Sequence, residues 1–321
     1  MQECAHQRGN GETRFPAFQK LCAYTERKGA MDNRSERMAR IYFTMPALLM
    51  LLVIMAFPIV FTIGASFTDW ALSSVEFPHI VGFRNYLDLL KETRFVRSVG
   101  RMLQFAIWTS VMETILGIGF AVIFNQNFRG QRVVKTVCLL PYAATPIVIA
   151  IVWKLILDPT LGVANYVIGM LGIQPITYFN AQNGMTSLIC IETWQGTPIV
   201  ALIIVAAMSN LPGDCMEAAQ VDGATKWRSF WLIEMPLLAP TIFIAFLMRF
   251  LDVTKAFDII YAITKGGPVF STETLNLYGY LIAFQHYKFG KASALIVMYA
   301  VILTIFGAFM LQIKKRLEVE Q

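Results

Sequence analysis

Long apolar runs separated by polar segments dominate the sequence. Six of these runs are long enough to cross a membrane, for which about 20 apolar residues suffice. They cover Ile41–Phe67, Met102–Phe124, Thr136–Leu157, Met185–Met208, Pro236–Thr264 and Ala292–Ile313. The first run carries no charged residue, whereas the fifth is interrupted by four, namely Arg249, Asp252, Lys255 and Asp258. The pattern predicts an all-α polytopic membrane protein with six transmembrane helices.

The composition supports a membrane protein and offers no enzyme motif. Of the 321 residues, 56% are hydrophobic and 15% are charged, whereas a soluble domain carries about 25% charged residues. The five cysteines and three histidines are scattered without metal-like spacing or the pattern of a disulfide framework. Phosphate-loop, zinc-protease and nucleophile-elbow motifs are absent from the sequence. The net charge of +6 is explained by basic cytoplasmic ends and does not require nucleic-acid binding.

The distribution of basic residues orients the predicted spans. The two chain ends and the loops 125–135 and 209–235 hold 16 Lys and Arg residues, and the opposite segments hold 8. By the positive-inside rule, both termini and the loop 209–235 are expected in the cytoplasm. Residues 1–40 are interpreted as a cytoplasmic tail, since the apolar run after them is too long for a signal peptide. Residues 41–316 form the predicted transmembrane domain, and 317–321 a cytoplasmic end.

A long polar loop, 209–240, separates the fourth and fifth spans. Its residues predict two short helices broken at Gly223, because glycine adopts a left-handed φ without strain. Thr225 is a candidate cap for the second helix, on which Trp227, Phe230 and Trp231 cluster. A loop with such apolar side chains either lies among lipid headgroups or docks into another protein.

The same loop resembles the EAA loop of ABC importer permeases. The resemblance rests on Glu217-Ala218-Ala219, then Gly223, then Ile233-x-Met235-Pro236, in which Met235 replaces the leucine usual in the family. Weaker motifs in the same order resemble the carbohydrate-uptake branch, which includes the maltose, trehalose and glycerol-3-phosphate permeases. These motifs are Gly82–Tyr86, Asp158–Asn165 and Thr264–Pro268, and the match runs from about Arg40 to Lys315.

The resemblance implies the fold and the function. The fold would be that of the ABC importer (MetI-like) permeases. The chain would be a non-catalytic permease subunit that moves a sugar or sugar-like solute across the bacterial inner membrane. Its partners would be a second homologous permease, a homodimeric ABC ATPase, an extracytoplasmic solute-binding protein, the carbohydrate and membrane lipid, without nucleic acid. ATP and Mg would be bound by the ATPase, and no cofactor by this chain. The residues implied in coupling to the ATPase are Glu217, Ala218, Ala219, Asp222 and Gly223.

The resemblance also implies a solute pathway along one face of the fourth span and one face of the fifth. On the fourth span, the residues that the resemblance assigns to this pathway are Glu192, Gln195, Gly196 and Ile199. Their spacing of i, i+3, i+4 and i+7 places them on one helical face. On the fifth span, the resemblance assigns Arg249, Val253 and Ala256 to the pathway, again on one helical face, with Asp252 at the edge of this face. We expect Arg249 to be held by Asp252 or Glu192 and to donate its remaining N–H groups to a neutral carbohydrate.

Alternatives remain at this point. The charges of the fifth span could form self-neutralising pairs with no role in transport, because Arg249, Asp252 and Lys255 are spaced i, i+3. An ABC importer for an anionic sugar derivative would favour an unpaired Arg249. A self-sufficient ion-coupled carrier would also use buried charges but would not need the EAA loop, and a membrane-embedded enzyme would need a catalytic constellation.

Overall fold

The computed structural model describes residues 16–126 and 128–319, and in this part of the chain the regular structure is helical, with one isolated bridge between Thr68 and Ile80. Five helical segments are long and apolar enough to cross a membrane, and a bent pair of helices brings the number to six if it counts as one span. The predicted all-α fold is therefore confirmed. Residues 1–15 of the predicted tail and residues 320–321 of the predicted C-terminal end lie outside the described residues.

The chain divides into two compact units, 1–61 and 62–321. The described part of the first unit belongs to helix α1, Pro16–Ser66, whose last residues enter the second unit. Ile41–Ser66 is its membrane-span candidate, which matches the predicted first span. The helix begins at Pro16, so residues 16–40 of the predicted tail continue the same helix.

The second unit contains the remaining helices. In chain order they are α2 Arg84–Lys91, α3 Thr93–Phe124, α4 Gln131–Ala143, α5 Pro146–Ile156, α6 Val163–Met170, α7 Gly184–Met208, α8 Gly213–Val221, α9 Lys226–Ser229, α10 Met235–Thr254, α11 Asp258–Ile263, α12 Leu275–Tyr280 and α13 Phe289–Val319. Five-residue π-helical segments, Phe230–Glu234 and Leu281–Gln285, join α9 to α10 and extend α12.

The predicted third span is broken into two helices. Helices α4 and α5 meet at an angle of 97° across Ala144 and Thr145. Both residues are extended, with ψ of 146° and 140°. The proline ring of Pro146 disfavours helical backbone at Thr145 and suits the first turn of α5, which explains the position of the break.

The helix of the predicted fifth span ends before the C-terminal end of the apolar run. Helix α10 ends at Thr254, and α11 begins only at Asp258. The carbonyl of Lys255, which a continuous helix would use, accepts a hydrogen bond from Asn276 Nδ2 at 2.9 Å. The predicted fifth span, Pro236–Thr264, is therefore not one continuous helix, and a side chain from a later segment stabilises the break.

Helices α3 and α7 pack closely along each other and form the centre of the second unit. Gly117 on α3 permits this approach, because a Cβ atom there would lie 2.6 Å from Val200 Cγ1 on α7. A buried apolar cluster that includes Phe105, Leu188 and Phe250 joins these two helices to α10. The second, fourth and fifth spans thus share one core, which fixes the positions of the polar side chains they carry.

Candidate functional site

The loop between α7 and α10 forms two short helices, as its residues predict. Helix α8 is ended by Gly223, whose φ is +75°. The Ala224 N–H donates to the carbonyl of Ala219 at 2.9 Å. This bond is typical of a helix C-terminus at which the residue before the donor, here Gly223, is left-handed. Glycine is required there because a side chain at positive φ is strained. Gly223 therefore sets the turn after α8.

The predicted coupling residues lie together on this loop. Glu217, Ala218, Asp222 and Gly223 are exposed, and Ala219 is buried at 7% exposure. Thr225 caps α9, since its Oγ1 accepts a hydrogen bond from the Arg228 N–H at 3.3 Å. The helix α8 thus presents a carboxylate and small side chains outward, which is a surface suited to docking.

Aromatic side chains follow on the next turn of the loop. Trp227 and Trp231 meet with ring centroids 5.7 Å apart, and Phe230 lies 5.3 Å from Trp231. Trp227 remains 72% exposed. Amphipathic rings of this kind are frequent at the membrane–water boundary, which fits a loop that begins and ends at the ends of two spans.

A buried ion pair joins the second span to the fifth. Arg249 on α10 donates from Nε and Nη2 to the two carboxylate oxygens of Glu113 on α3, both at 2.7 Å. The Glu113 side chain is fully buried and that of Arg249 is 10% exposed. This bidentate geometry is the strong form of an arginine–carboxylate pair.

A second carboxylate completes this cluster. Glu192 on α7 lies 3.3 Å from Arg249 Nη2 through its Oε1, and its side chain is 14% exposed. Gly196 lies against the pair, since a Cβ atom there would overlap Glu113 Oε1 and Arg249 Nη2. We call Glu113, Glu192 and Arg249 the charge cluster. It brings three spans together, and Gly196 makes room for it.

The predicted pathway residues Gln195, Ile199, Val253 and Ala256 are buried or partly buried. Gln195 is buried and donates from Nε2 to the Ala144 carbonyl at 3.2 Å, while its Oε1 has no partner among the described residues. Ile199 and Val253 pack into apolar clusters. Ala256 follows the end of α10, so it does not share a helical face with Arg249 and Val253 as predicted.

The partners of Arg249 differ in part from those predicted. Glu192 contacts it, but Asp252 does not: Asp252 is exposed and pairs with Lys255 at 3.6 Å. Of the two partners predicted for Arg249, the structure therefore has Glu192 and not Asp252, because the Asp252 carboxylate pairs with Lys255 at the exposed end of α10. Glu113 was missed as a partner. The available signal was its position as the only charged residue of the second apolar run, since a charge within a span requires a partner.

A second polar cluster lies at the other end of α3. Arg94 binds the fully buried carboxylate of Glu273 at 2.6 Å and lies over the ring of Phe270 at 4.0 Å. Beside it, Glu92 accepts hydrogen bonds from Tyr278 and Lys291. Burial raises the pKa of Glu92, but these bonds outweigh it and hold the pKa below its ordinary value. The cluster fixes the loop that follows α11.

A cavity of about 840 Å³ is lined by side chains of α3, α4 and α7, among them Trp108, Cys138 and Trp194. The charge cluster does not contribute to its lining. Within residues 16–126 and 128–319, no group of three His, Cys, Asp or Glu side chains is placed to hold a metal ion.

These features define a polytopic helical membrane protein. It has an exposed helical loop between two spans, and the charge cluster lies between three of its spans. Residues 113–319 match the family model of the binding-protein-dependent transport system inner membrane components. The chain belongs to this family of transport permeases. It is therefore a transport subunit and not an enzyme.

Relatives extend the similarity beyond the matched domain. The chain is 35% identical to a probable ABC transporter permease, y4oQ, of Sinorhizobium fredii, over 88% of this chain and 93% of that protein. It is 32% identical to the trehalose/maltose transport system permease MalF of Thermococcus litoralis, over 77% of this chain and 82% of the relative.

A solved structure shares the fold. It is a bacterial alginate ABC transporter in complex with an alginate pentasaccharide-bound periplasmic protein. One of its chains superimposes with a TM-score of 0.77 at 19% identity, covering 89% of this chain and 96% of the other. The permease fold inferred from the sequence motifs is thereby confirmed.

Proposed function

We propose that this chain is the transmembrane subunit of an ATP-driven importer that carries a sugar or sugar-like solute across the bacterial inner membrane. The observation that carries the proposal is the exposed helix α8, which Gly223 ends between two spans of a member of this permease family. The trehalose/maltose permease among the relatives supports a carbohydrate as the solute class.

The exposed face of α8 is proposed as the contact with the ATPase. Glu217 is available there to meet a basic group, and the small Ala218 allows close approach. Burying such a charge at an interface is favourable only when it finds a partner. Glu217, Ala218, Ala219, Asp222 and Gly223 thus form one coupling surface in this proposal. ATP and Mg would be bound by the ATPase.

The remaining partners follow from the same assignment. The importer would contain a second homologous permease, a homodimeric ATPase and an extracytoplasmic solute-binding protein. The excess of Lys and Arg in the two chain ends and in the loop of α8 places these segments in the cytoplasm in our proposal. The loops after α5 and α11 would then face the solute-binding protein.

The solute pathway is proposed beside the charge cluster. The partly exposed side chains of Glu192 and Arg249 offer an acceptor and a donor. Gln195 Oε1 is a buried acceptor without a partner among the described residues, so a hydroxyl donor would satisfy it. Ile199, Val253, Asp252 and Ala256 would flank the pathway and contribute contact surface.

Affinity purification of the tagged chain from its own host tests this function. We expect an ATPase and a second permease to copurify, and uptake of a radiolabelled sugar to require ATP hydrolysis. A Glu217→Lys chain is the matched control, since it should reach the membrane but lose the ATPase. Uptake that follows an ion gradient in the absence of any ATPase would instead establish a self-sufficient carrier.

A further inference from the structure

The charge cluster contains more negative than positive groups. Arg249 is the only cation in it, and it faces the carboxylates of both Glu113 and Glu192. Two carboxylates against one guanidinium leave a surplus negative charge. Even with one proton bound to the cluster, no unpaired positive charge remains. Arg249 therefore cannot serve as a free anion-binding group.

Glu113 is the residue that removes this possibility. It uses Nε and Nη2 of Arg249 in a bidentate pair and is itself fully buried, so it makes no contact with a solute. No described residue accepts a hydrogen bond from Nη1 of Arg249. The guanidinium thus retains N–H groups that can donate to a hydroxyl, while its charge is compensated from the side of α3.

Glu192 supplies the surplus charge on the partly exposed side. Its Oε1 approaches Arg249 at 3.3 Å, longer than the two bonds to Glu113, and its side chain is the most exposed of the three. A carboxylate in this position accepts hydrogen bonds from the hydroxyls of a neutral solute. It repels an anionic one, and the repulsion is strong because the surroundings are poorly polarisable.

We propose that the charge cluster makes the solute pathway selective for uncharged sugars over anionic ones, with Glu113 as the positioning residue that compensates Arg249. This inference rests on the proposed function and names the substrate class of the same site. It disfavours the anionic sugar derivative that the sequence leaves open, since that solute would require an unpaired Arg249.

The test is direct binding to the transporter complex without its solute-binding protein, whose own selectivity would otherwise intervene. The tagged complex is reconstituted in lipid nanodiscs, and saturation-transfer NMR measures the binding of trehalose and trehalose 6-phosphate. These probes share the disaccharide and differ in charge. Wild type is expected to bind trehalose at least about tenfold more tightly, a modest effect for one unit charge within a few ångströms.

Variants that remove one negative charge should change this ratio. Glu192→Gln keeps the shape of the side chain and is expected to shift the preference toward the phosphorylated sugar by about tenfold. Glu113→Gln should shift it in the same direction, because it leaves one carboxylate against Arg249 and removes the surplus negative charge. If Glu113→Gln does not fold, Glu192→Gln decides alone. Asp88→Asn, at an exposed carboxylate paired with Arg84, is the matched control and should leave the ratio unchanged.

The outcomes separate this inference from the proposed function. An unchanged ratio in a folded Glu192→Gln complex, or equal binding of both probes to wild type, would overturn the charge selectivity while ATP-driven uptake persists. Absence of ATP-driven sugar uptake in cells would overturn the proposed function and the inference with it. If trehalose does not bind to wild type, the expected preference for the uncharged probe is absent and the inference is overturned.

Discussion

Arg249 and Glu113 form a bidentate ion pair, with both N–O distances at 2.7 Å, although 136 residues separate them in the sequence. The pair ties the second span to the fifth within the shared core. Removing Arg249 would leave the buried Glu113 carboxylate without a partner, whereas removing Glu113 would leave Arg249 with only its longer contact to Glu192. The pair therefore constrains the fold as strongly as it shapes the candidate site.

The substitution Arg249→Met is expected to destabilise the chain by about 3–5 kcal/mol, because it leaves the buried Glu113 carboxylate unpaired. Glu113→Leu should cost less, because Arg249 still contacts Glu192. The double variant should recover part of the loss caused by Arg249→Met, because the fully buried Glu113 carboxylate is gone and only the partly exposed Glu192 is left without its partner. Thermal unfolding of the purified chain in detergent, followed by circular dichroism, measures this cycle. Additive losses in the double variant would contradict the coupling.

Gly196 is predicted to tolerate no side chain. A Cβ atom there would overlap oxygen and nitrogen atoms of the Glu113–Arg249 pair, so Gly196→Ala must displace the pair. We expect it to lower the free energy of unfolding by about 1–3 kcal/mol, as overpacking of a core does. Gly119→Ala is the matched control, because nothing lies within 4 Å of its Cβ position and alanine favours the helix. Equal stability of the two variants would show that the pair can shift without cost.

Local patterns in the sequence predict the spans and the loop. Features of the loop that depend on neighbouring residues were predicted correctly, and two features that depend on residues far apart in the sequence were not. The end of α8 at Gly223 and the cap at Thr225 depend on neighbouring backbone atoms, so residue type alone identifies them. The break at Lys255 depends on Asn276, and the position of Arg249 depends on Glu113. Such distant pairings leave no periodic signal, and only the isolated charge in the second run indicated that a partner must exist.

The orientation of the chain is open to a labelling test. On a background without native cysteines, single cysteines at Gln182 and Ser209, both exposed, lie at opposite ends of α7. A membrane-impermeant maleimide added to intact spheroplasts should label Gln182→Cys and spare Ser209→Cys until the membrane is permeabilised. Labelling of both from one side would contradict the predicted crossing.

The turn after α8 should be essential for coupling. Gly223→Val forces a β-branched side chain to a φ of +75°, a conformation that costs about 1–2 kcal/mol for an ordinary residue. We expect this variant to insert into the membrane but to recover less ATPase on purification. Gly213→Ala, in the same loop with open space around it, is the control. Undiminished ATPase recovery and uptake with Gly223→Val would argue against docking through α8.

The Glu92 contacts predict an acid-sensitive contribution to stability outside the spans. Burial raises the pKa of Glu92, but the bonds from Lys291 and Tyr278 lower it below its ordinary value of about 4.5. A carboxylate with a lowered pKa stabilises the folded chain above the pKa of the unfolded state. This stabilisation is lost as the pH falls through the folded value. The melting temperature of wild type should therefore exceed that of Glu92→Gln at pH 7, and the difference should shrink as the pH falls below 4.5. Glu76→Gln, at an exposed position of the loop after α1, corrects for general acid effects. A difference that stays constant with pH would show that the charge of Glu92 does not contribute and that the glutamine variant loses only packing.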